Sequence, residues 1–228
     1  MELSIVIPVY NEKKTLSELI RRVEAVDLDK EIIIVDDAST DGTRDLLKKY
    51  EEKERFKIIY LSKNSGKGKA LRAGFEKAEG EIIIVQDADL EYNPKDYPIL
   101  LEPIFDGRAD VVYGSRFLGG HPHRVFFFWH YMANKLLTTL SNMFTNLCLT
   151  DMETGYKVFK RTVLDSFTLK CDRFGFEPEF TSKVARRNFV IYEVPISYSG
   201  RDYSEGKKID WKDGIAALWF IFRFRFFP

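Results

Sequence analysis

An α/β fold built on a mostly parallel sheet is what this sequence predicts, and three observations predict it. Short β-branched runs alternate with helix-period segments through the first half of the chain. Two of those runs, E-I-I-I-V at 31–35 and again at 81–85, are apolar without alternation. Strands covered on both faces have that composition. Both runs lead into acids, D-D-A-S after the first and Q-D-A-D after the second. In an open parallel sheet, ligands gather at the carboxyl ends of strands, so the two acid-bearing ends are expected to share one crevice. The echo is too short, and recurs too little, to mark a repeat protein.

The elements follow in order. Residues 3–9 are an apolar, β-branched strand. Asn11 offers an N-cap, and Leu16, Leu19, Ile20 and Val23 then recur at helical spacing. After the strand at 31–35, Asp41-Gly42 is a turn and 45–54 a polar helix. Residues 57–61 are a third strand, 66–78 a helix with Leu71 and Phe75 four apart, and 81–85 the fourth strand. Beyond the turn at Asn93-Pro94 a helix runs to 105 and a strand covers 109–113. The rhythm then changes. A long, partly aromatic helix is expected at about 127–148, a short strand at 156–159, a helix at 178–187 and a strand at 190–194. Residues 201–208 read as a polar loop, and Asp210 caps a final amphipathic segment. No linker composition intervenes, so 1–228 reads as a single domain, 1–115 and 116–228 forming its two halves.

Composition narrows the function. The chain has 228 residues, 45% of them apolar and 31% charged, as in a globular protein with a substantial core. Its formal net charge is zero, which removes the basic field that nucleic-acid binding relies on. Two cysteines, Cys148 and Cys171, fit reduced cytosolic thiols better than a disulfide scaffold. The first residues lack a signal peptide's basic and apolar regions. Phe (19) and Tyr (11) are abundant, and many fall in 126–131 and 219–227. Neither segment offers the roughly 20 apolar residues a spanning helix needs. Aromatics beside cations suit a membrane interface or a partner surface instead.

The stretch D-A-D-L-E at 87–91 carries three acids, Asp87, Asp89 and Glu91, directly after a buried strand. A second D-x-D, Asp27 to Asp29, precedes a strand and reads as a solvated turn, so position and not pattern gives the first its meaning. Mg²⁺ takes one or two carboxylates and completes its shell with water and substrate phosphates; Mn²⁺ suits the same oxygen donors. The acids thus point to a diphosphate substrate as much as to a metal. Neither G-x-G-x-x-G nor G-x-x-x-x-G-K-[ST] is present. Gly66-Lys67-Gly68-Lys69 could lend N–H groups at a helix start or be a plain basic loop. His121, His123 and His130 could suggest a metal, although His121-Pro122-His123 in a polar loop reads more readily as plain loop, and no nucleophilic triad is visible.

Seven segments, in order over nearly the whole chain, resemble glycosyltransferase family 2, the inverting enzymes of GT-A fold. They are I-V-I-P-V-Y-N-E (5–12), V-D-D-A-S-T-D-G (35–42), N-S-G-K-G-K-A (64–70), D-A-D-L-E (87–91), G-S-R (114–116), T-G-Y-K-V-F (154–159) and residues 201–208. The set most resembles the branch of polyprenyl-phosphate sugar transferases typified by dolichyl-phosphate mannose synthase. The resemblance implies a nucleotide pocket lined by Pro8, Tyr10 and Glu12, with Val35 and Asp37 facing base and ribose. Asp87 and Ala88 would lie beside sugar and ribose. Asp89, with Glu91 and with Asp87 close by, would hold Mg²⁺ or Mn²⁺ on the diphosphate. Arg116 would sit between diphosphate and acceptor, and Arg201 and Lys207 would close over the diphosphate.

It further implies a GDP- or UDP-sugar donor, most readily of mannose or glucose, and a dolichyl or undecaprenyl phosphate acceptor. A lipid phosphate is already anionic and needs cations rather than a general base; Arg116, Arg124 and Arg201 are candidates. The aromatic segments at about 125–148 and 210–227 would then be interfacial anchors. Many relatives carry C-terminal transmembrane helices, and none is read here, which implies a peripheral protein on the cytoplasmic face. Mannose synthases often have Gln where Glu91 stands, so sugar and base stay open. Two other readings stand beside this one: transfer to a saccharide or glycolipid hydroxyl, and a non-catalytic module binding sugar nucleotides or a membrane partner.

Overall fold

The computed structural model describes residues 2–227 except 121–123, 126, 174 and 201–210, with backbone alone at 211–213. The elements are β1 (Leu3–Val9), α1 (Leu16–Glu24), β2 (Lys30–Asp36), α2 (Thr43–Leu47), β3 (Phe56–Tyr60), α3 (Lys67–Phe75), β4 (Ile82–Val85) and α4 (Tyr97–Phe105). They continue with β5 (Val111–Ser115), α5 (Phe128–Thr145), β6 (Lys157–Lys160), α6 (Arg161–Asp165), α7 (Phe176–Ala185), β7 (Ile191–Pro195) and α8 (Trp211–Phe226). The strands form one seven-stranded sheet in the order β3-β2-β1-β4-β6-β5-β7.

Every pairing is parallel except those of β6, which runs against both β4 and β5. The register sets Ile84 opposite Val158 and Ile82 opposite Lys160. Reversal therefore brings the residues that precede β6 to the carboxyl end of β4, beside the acids. Residues from both halves of the sequence meet there.

The unbroken apolar runs have the expected cause. Ile5, Ile7, Ile32, Ile34, Ile82 and Ile84 pack with α1 and α4. Their alternates Val6, Ile33, Val35, Ile83 and Val85 pack with α3, α7 and residues of α5 and α8. Each strand is thus covered on both faces by period-two alternation. Helix α8 buries Ala217, Ile221 and Phe224 and exposes Ile215, Trp219, Phe222 and Phe226 on the opposite side. Among the described residues no helix is long and apolar enough to cross a membrane.

Some local expectations shift. Asn11 does not cap α1, which begins at Leu16 after Thr15. It takes a left-handed φ of 52°, and its Oδ1 accepts the N–H of Thr40 at 2.8 Å, tying two loops together. The polar helix expected over 45–54 ends at Leu47 and continues as one tighter turn through Tyr50. The following residues offer no apolar face to bury. Helix α6, five residues long, is too short to show a period. Asp210 lies outside the described residues.

Phe180 is fully buried, with the rings of Phe159, Phe176, Phe167 and Tyr113 at 4.8, 5.5, 5.9 and 6.4 Å. Phe180→Ala should cost about 3–5 kcal/mol, measured by denaturant unfolding. A loss below about 1 kcal/mol would show that this aromatic cluster does not support the sheet.

Candidate active site

A cavity of about 640 Å³ opens at the carboxyl ends of β1, β2 and β4. Pro8, Tyr10 and Glu12 line it from β1, Asp37 from β2, and Asp87, Ala88, Asp89 and Glu91 from β4. Arg116, after β5, lines it from the other half of the chain. At each of the three strand ends a non-glycine residue has positive φ: Asn11 at 52°, Ala38 at 61° and Leu90 at 65°. Such strain persists only where surroundings enforce it and gathers at ligand sites. Leu90 stands between Asp89 and Glu91.

Val35 is the exception among the expected residues. It is fully buried, packs in the core with Val6 and α3, and does not line the cavity. Its side chain packs under α3, where a Cβ on Gly74 would fall 3.2 Å from it. Arg201 and Lys207 lie outside the described residues.

The glycine-lysine stretch does not form a phosphate cradle. Asp37 accepts the N–H groups of Ser65 and Gly66, both at 2.7 Å. Lys69 N–H goes to the Asp172 carbonyl at 2.9 Å, and Gly68 N–H to that of Arg173 at 3.3 Å. The helix start is consumed by protein contacts. Gly66 has φ of +100°, and a Cβ on Gly68 would fall 2.4 Å from the Cys171 carbonyl. The glycines therefore serve a close backbone approach. What reaches the cavity is the Lys67 side chain, at 2.8 Å from Asp87 Oδ1 and 3.0 Å from Glu177 Oε1. Burial opposes its charge, but Asp87 and Glu177 outweigh that and raise its pKa.

The three acids of 87–91 have distinct partners. Asp87 faces Lys67, Asp89 Oδ1 accepts Glu91 N–H at 3.1 Å, and Glu91 Oε2 accepts the Tyr198 hydroxyl at 2.7 Å. Among the described residues no three Asp, Glu, His or Cys side chains converge as a protein-made metal cage. Asp87 and Asp89 still present hard oxygen donors on one cavity wall. That donor set fits a divalent cation taking few protein ligands and completing its shell with diphosphate.

Arg116 Nε and Nη2 each donate to Asp151, at 2.7 Å, and its backbone N–H adds a third bond at 3.1 Å. Asp151 is fully buried, its loop fixed by Glu193, which accepts the N–H groups of Thr150 and Asp151. Gln86 is also fully buried, accepting the hydroxyls of Tyr97 and Tyr156 and donating to the Asp87 carbonyl.

Sequence reading missed Glu153 and Glu177, which also line the cavity. Glu153 lies just before the T-G-Y-K-V-F segment, and its neighbour Lys157 lies within it; Glu177 sits in α7 with no motif around it. Burial, then the charge of Glu177, push the Glu153 carboxyl up to about 8. Burial lowers Lys157 to about 8 despite the opposing pull of Glu177.

Among solved structures, glucosyl-3-phosphoglycerate synthase from Mycobacterium tuberculosis superposes with a TM-score of 0.77 at 19% identity, covering 100% of this chain and 80% of that one, in its complex with Mn²⁺, UDP-glucose and phosphoglyceric acid. Its complex with Mg²⁺ and UDP gives 0.75 at 20% identity, with coverage of 100% and 80%. The fold is therefore the GT-A fold of nucleotide-diphospho-sugar transferases. The family model for glycosyl transferase family 2 matches residues 4–167, and the chain belongs to that family. Two similar curated proteins are both named undecaprenyl-phosphate 4-deoxy-4-formamido-L-arabinose transferase. The one from Pseudomonas syringae pv. syringae (strain B728a) is 32% identical, and that from Pseudomonas savastanoi pv. phaseolicola (strain 1448A / Race 6) 31%. Each match runs over 210 residues, covering 90% of this chain and 60% of the relative. The chain thus spans about three-fifths of those relatives' length.

Glu153 gives a pH test. Its folded pKa lies above its unfolded value near 4.5, so between about 4.5 and about 8 the folded state holds a proton that the unfolded state has lost. Stability from this group falls as pH rises through that window. Glu153→Gln removes the effect, so the variant should gain on wild type between pH 5 and pH 8 in urea unfolding. A constant gap would contradict the assignment.

Proposed function

We propose that this chain transfers a sugar, with inversion, from a GDP- or UDP-sugar to a polyprenyl phosphate at the cytoplasmic face of a membrane. One observation carries the reading. The cavity that holds Asp87 and Asp89 is also lined by Val125, Phe127 and Leu137, so it runs from the acidic strand end to the aromatic helix α5. Val125, Trp129 and Trp219 are 89%, 77% and 57% exposed. An anionic donor and an apolar acceptor chain would each find matching walls. The names of the curated relatives, which specify undecaprenyl phosphate, support the acceptor class. The structural neighbours, solved with Mn²⁺ and UDP-glucose or with Mg²⁺ and UDP, support the donor class.

On this reading the halves 1–115 and 116–228 act as one catalytic unit. Mg²⁺ or Mn²⁺, held by Asp89 with Asp87 adjacent, would supply charge neutralisation on the leaving diphosphate. Glu91, bonded to Tyr198, orients the turn that presents Asp89. Pro8, Tyr10, Glu12, Asp37 and Ala88 surround the nucleotide. Arg116, oriented by Asp151, stands where diphosphate and acceptor phosphate meet, and Arg201 and Lys207 come from the loop proposed to close over them. The acceptor phosphate attacks the anomeric carbon as an anion, so no group has to remove a proton.

Asp89→Asn should lower turnover at least about a hundredfold with the fold intact. The assay is a panel of GDP-mannose, UDP-glucose and UDP-GlcNAc with dolichyl and undecaprenyl phosphate, with and without Mn²⁺. Full activity in the variant would refute the metal role. Inert polyprenyl phosphate with an active saccharide acceptor would favour the hydroxyl reading, and binding without product a non-catalytic module. Separately, replacing Trp129 and Trp219 together by Ala should cut binding to anionic vesicles roughly tenfold or more in flotation. Wild type that stays off vesicles would remove the interfacial assignment.

A further inference from the structure

Behind Asp87 the cavity ends in side chains that neither a metal nor a diphosphate accounts for. Lys67 joins Asp87 to Glu177. Lys157 Nζ donates to the carbonyls of Met152 and Thr154, at 3.0 and 2.5 Å, and lies 4.9 Å from the Tyr113 ring centre. Glu153 lines the same cavity, and its Oε1 is buried without a hydrogen-bond partner among the described residues. Leaving such an atom unpaired costs about 1–3 kcal/mol, and an orphaned polar atom in a binding cavity is most simply completed by the ligand.

Asp87 and Glu177 already neutralise Lys67, which leaves that ammonium little attraction for phosphate, so the part of a donor that belongs here is its uncharged part. The charged groups acting on Glu153 are Glu177, Lys157, Arg116 and Asp151. Burial and the Glu177 charge keep it protonated at neutral pH. A neutral carboxylic acid offers one O–H donor and an acceptor oxygen, the pairing a sugar hydroxyl or amide requires. Gly155 fixes the position: a Cβ there would fall 2.2 Å from Asp87 Oδ2, so the segment bearing Glu153 lies directly against that acid.

Resting on the transferase reading, we infer that Glu153 and the Lys67–Glu177 pair form the sugar-reading end of the cavity, Glu153 hydrogen-bonding a neutral polar substituent of the transferred sugar. The role is recognition of the donor and not removal of a proton.

Calorimetry on the full chain with Mn²⁺ tests this, using UDP with UDP-glucose and GDP with GDP-mannose. The readout is the ratio of Kd for the sugar nucleotide to Kd for its nucleoside diphosphate. Glu153→Leu and Glu153→Ala should raise that ratio roughly tenfold, the worth of one hydrogen bond. Glu153→Gln keeps a donor and an acceptor and should stay within about threefold of wild type. An unchanged ratio in the Leu and Ala variants would overturn the inference. So would loss of nucleoside diphosphate binding in both, because a sugar-reading group leaves the nucleotide untouched. Turnover abolished in Glu153→Gln with an unchanged ratio would assign proton removal instead and overturn it too. Wild type that binds neither UDP nor GDP would remove the transferase reading itself, a result distinct from the others.

Discussion

The backbone of Gly155 lies against the Asp87 carboxylate with no room for a side chain. Its N–H donates to the Tyr92 oxygen at 2.7 Å, and Lys67 closes on Asp87 from another direction. This contact joins the carboxyl end of β4 to the segment leading into the reversed strand β6. Were β6 parallel, that segment would lie at the far edge of the sheet. Because it is antiparallel, residues 151–155 arrive beside Asp87, bringing Asp151, Glu153 and the Arg116 pair with them. The site is an arrangement of two chain segments held at van der Waals contact, not a property of one motif.

The surrounding charges make that contact costly to disturb. Asp87, Glu177 and Lys67 share a largely buried junction, and removing one partner of such a set leaves a charge stranded at about 3–5 kcal/mol. Asp151 and Arg116 form a second, bidentate pair. Gln86 anchors the backbone between them by accepting two tyrosine hydroxyls at once. Local strain at Ala38 and Leu90 persists because these neighbours leave the chain little alternative.

Much of this was legible in the sequence, for identifiable reasons. The runs at 31–35 and 81–85 read as strands because burial on both faces removes polar alternation. The acids after them read as site residues because strand ends converge. What did not read was long-range pairing. Lys67 read equally as part of a helix start lending N–H groups and a cation or as a plain basic loop, since nothing near it in sequence indicates Asp87, 20 residues on, or Glu177 across the fold. Glu153 and Glu177 are unremarkable acids until β6 and α7 bring them to one cavity. Val35, two residues before Asp37, is fully buried in the core beneath α3 and does not line the cavity.

The placement of charge bears on how two anions could meet here. The chain's formal net charge is zero, so attraction has to be local. Two cations of the cavity are already neutralised, Lys67 by Asp87 and Glu177 and Arg116 by Asp151, while Arg124 and Arg173 also line it. The Arg116 bonds to Asp151 run through Nε and Nη2, so Nη1 carries the donors that a phosphate would meet. Held this way, Arg116 is a directed donor more than a source of field. On the proposed reading, the positive charge that meets the acceptor phosphate on the cavity wall comes from Arg124 and Arg173 more than from the paired Lys67. The metal-bound donor would add to it.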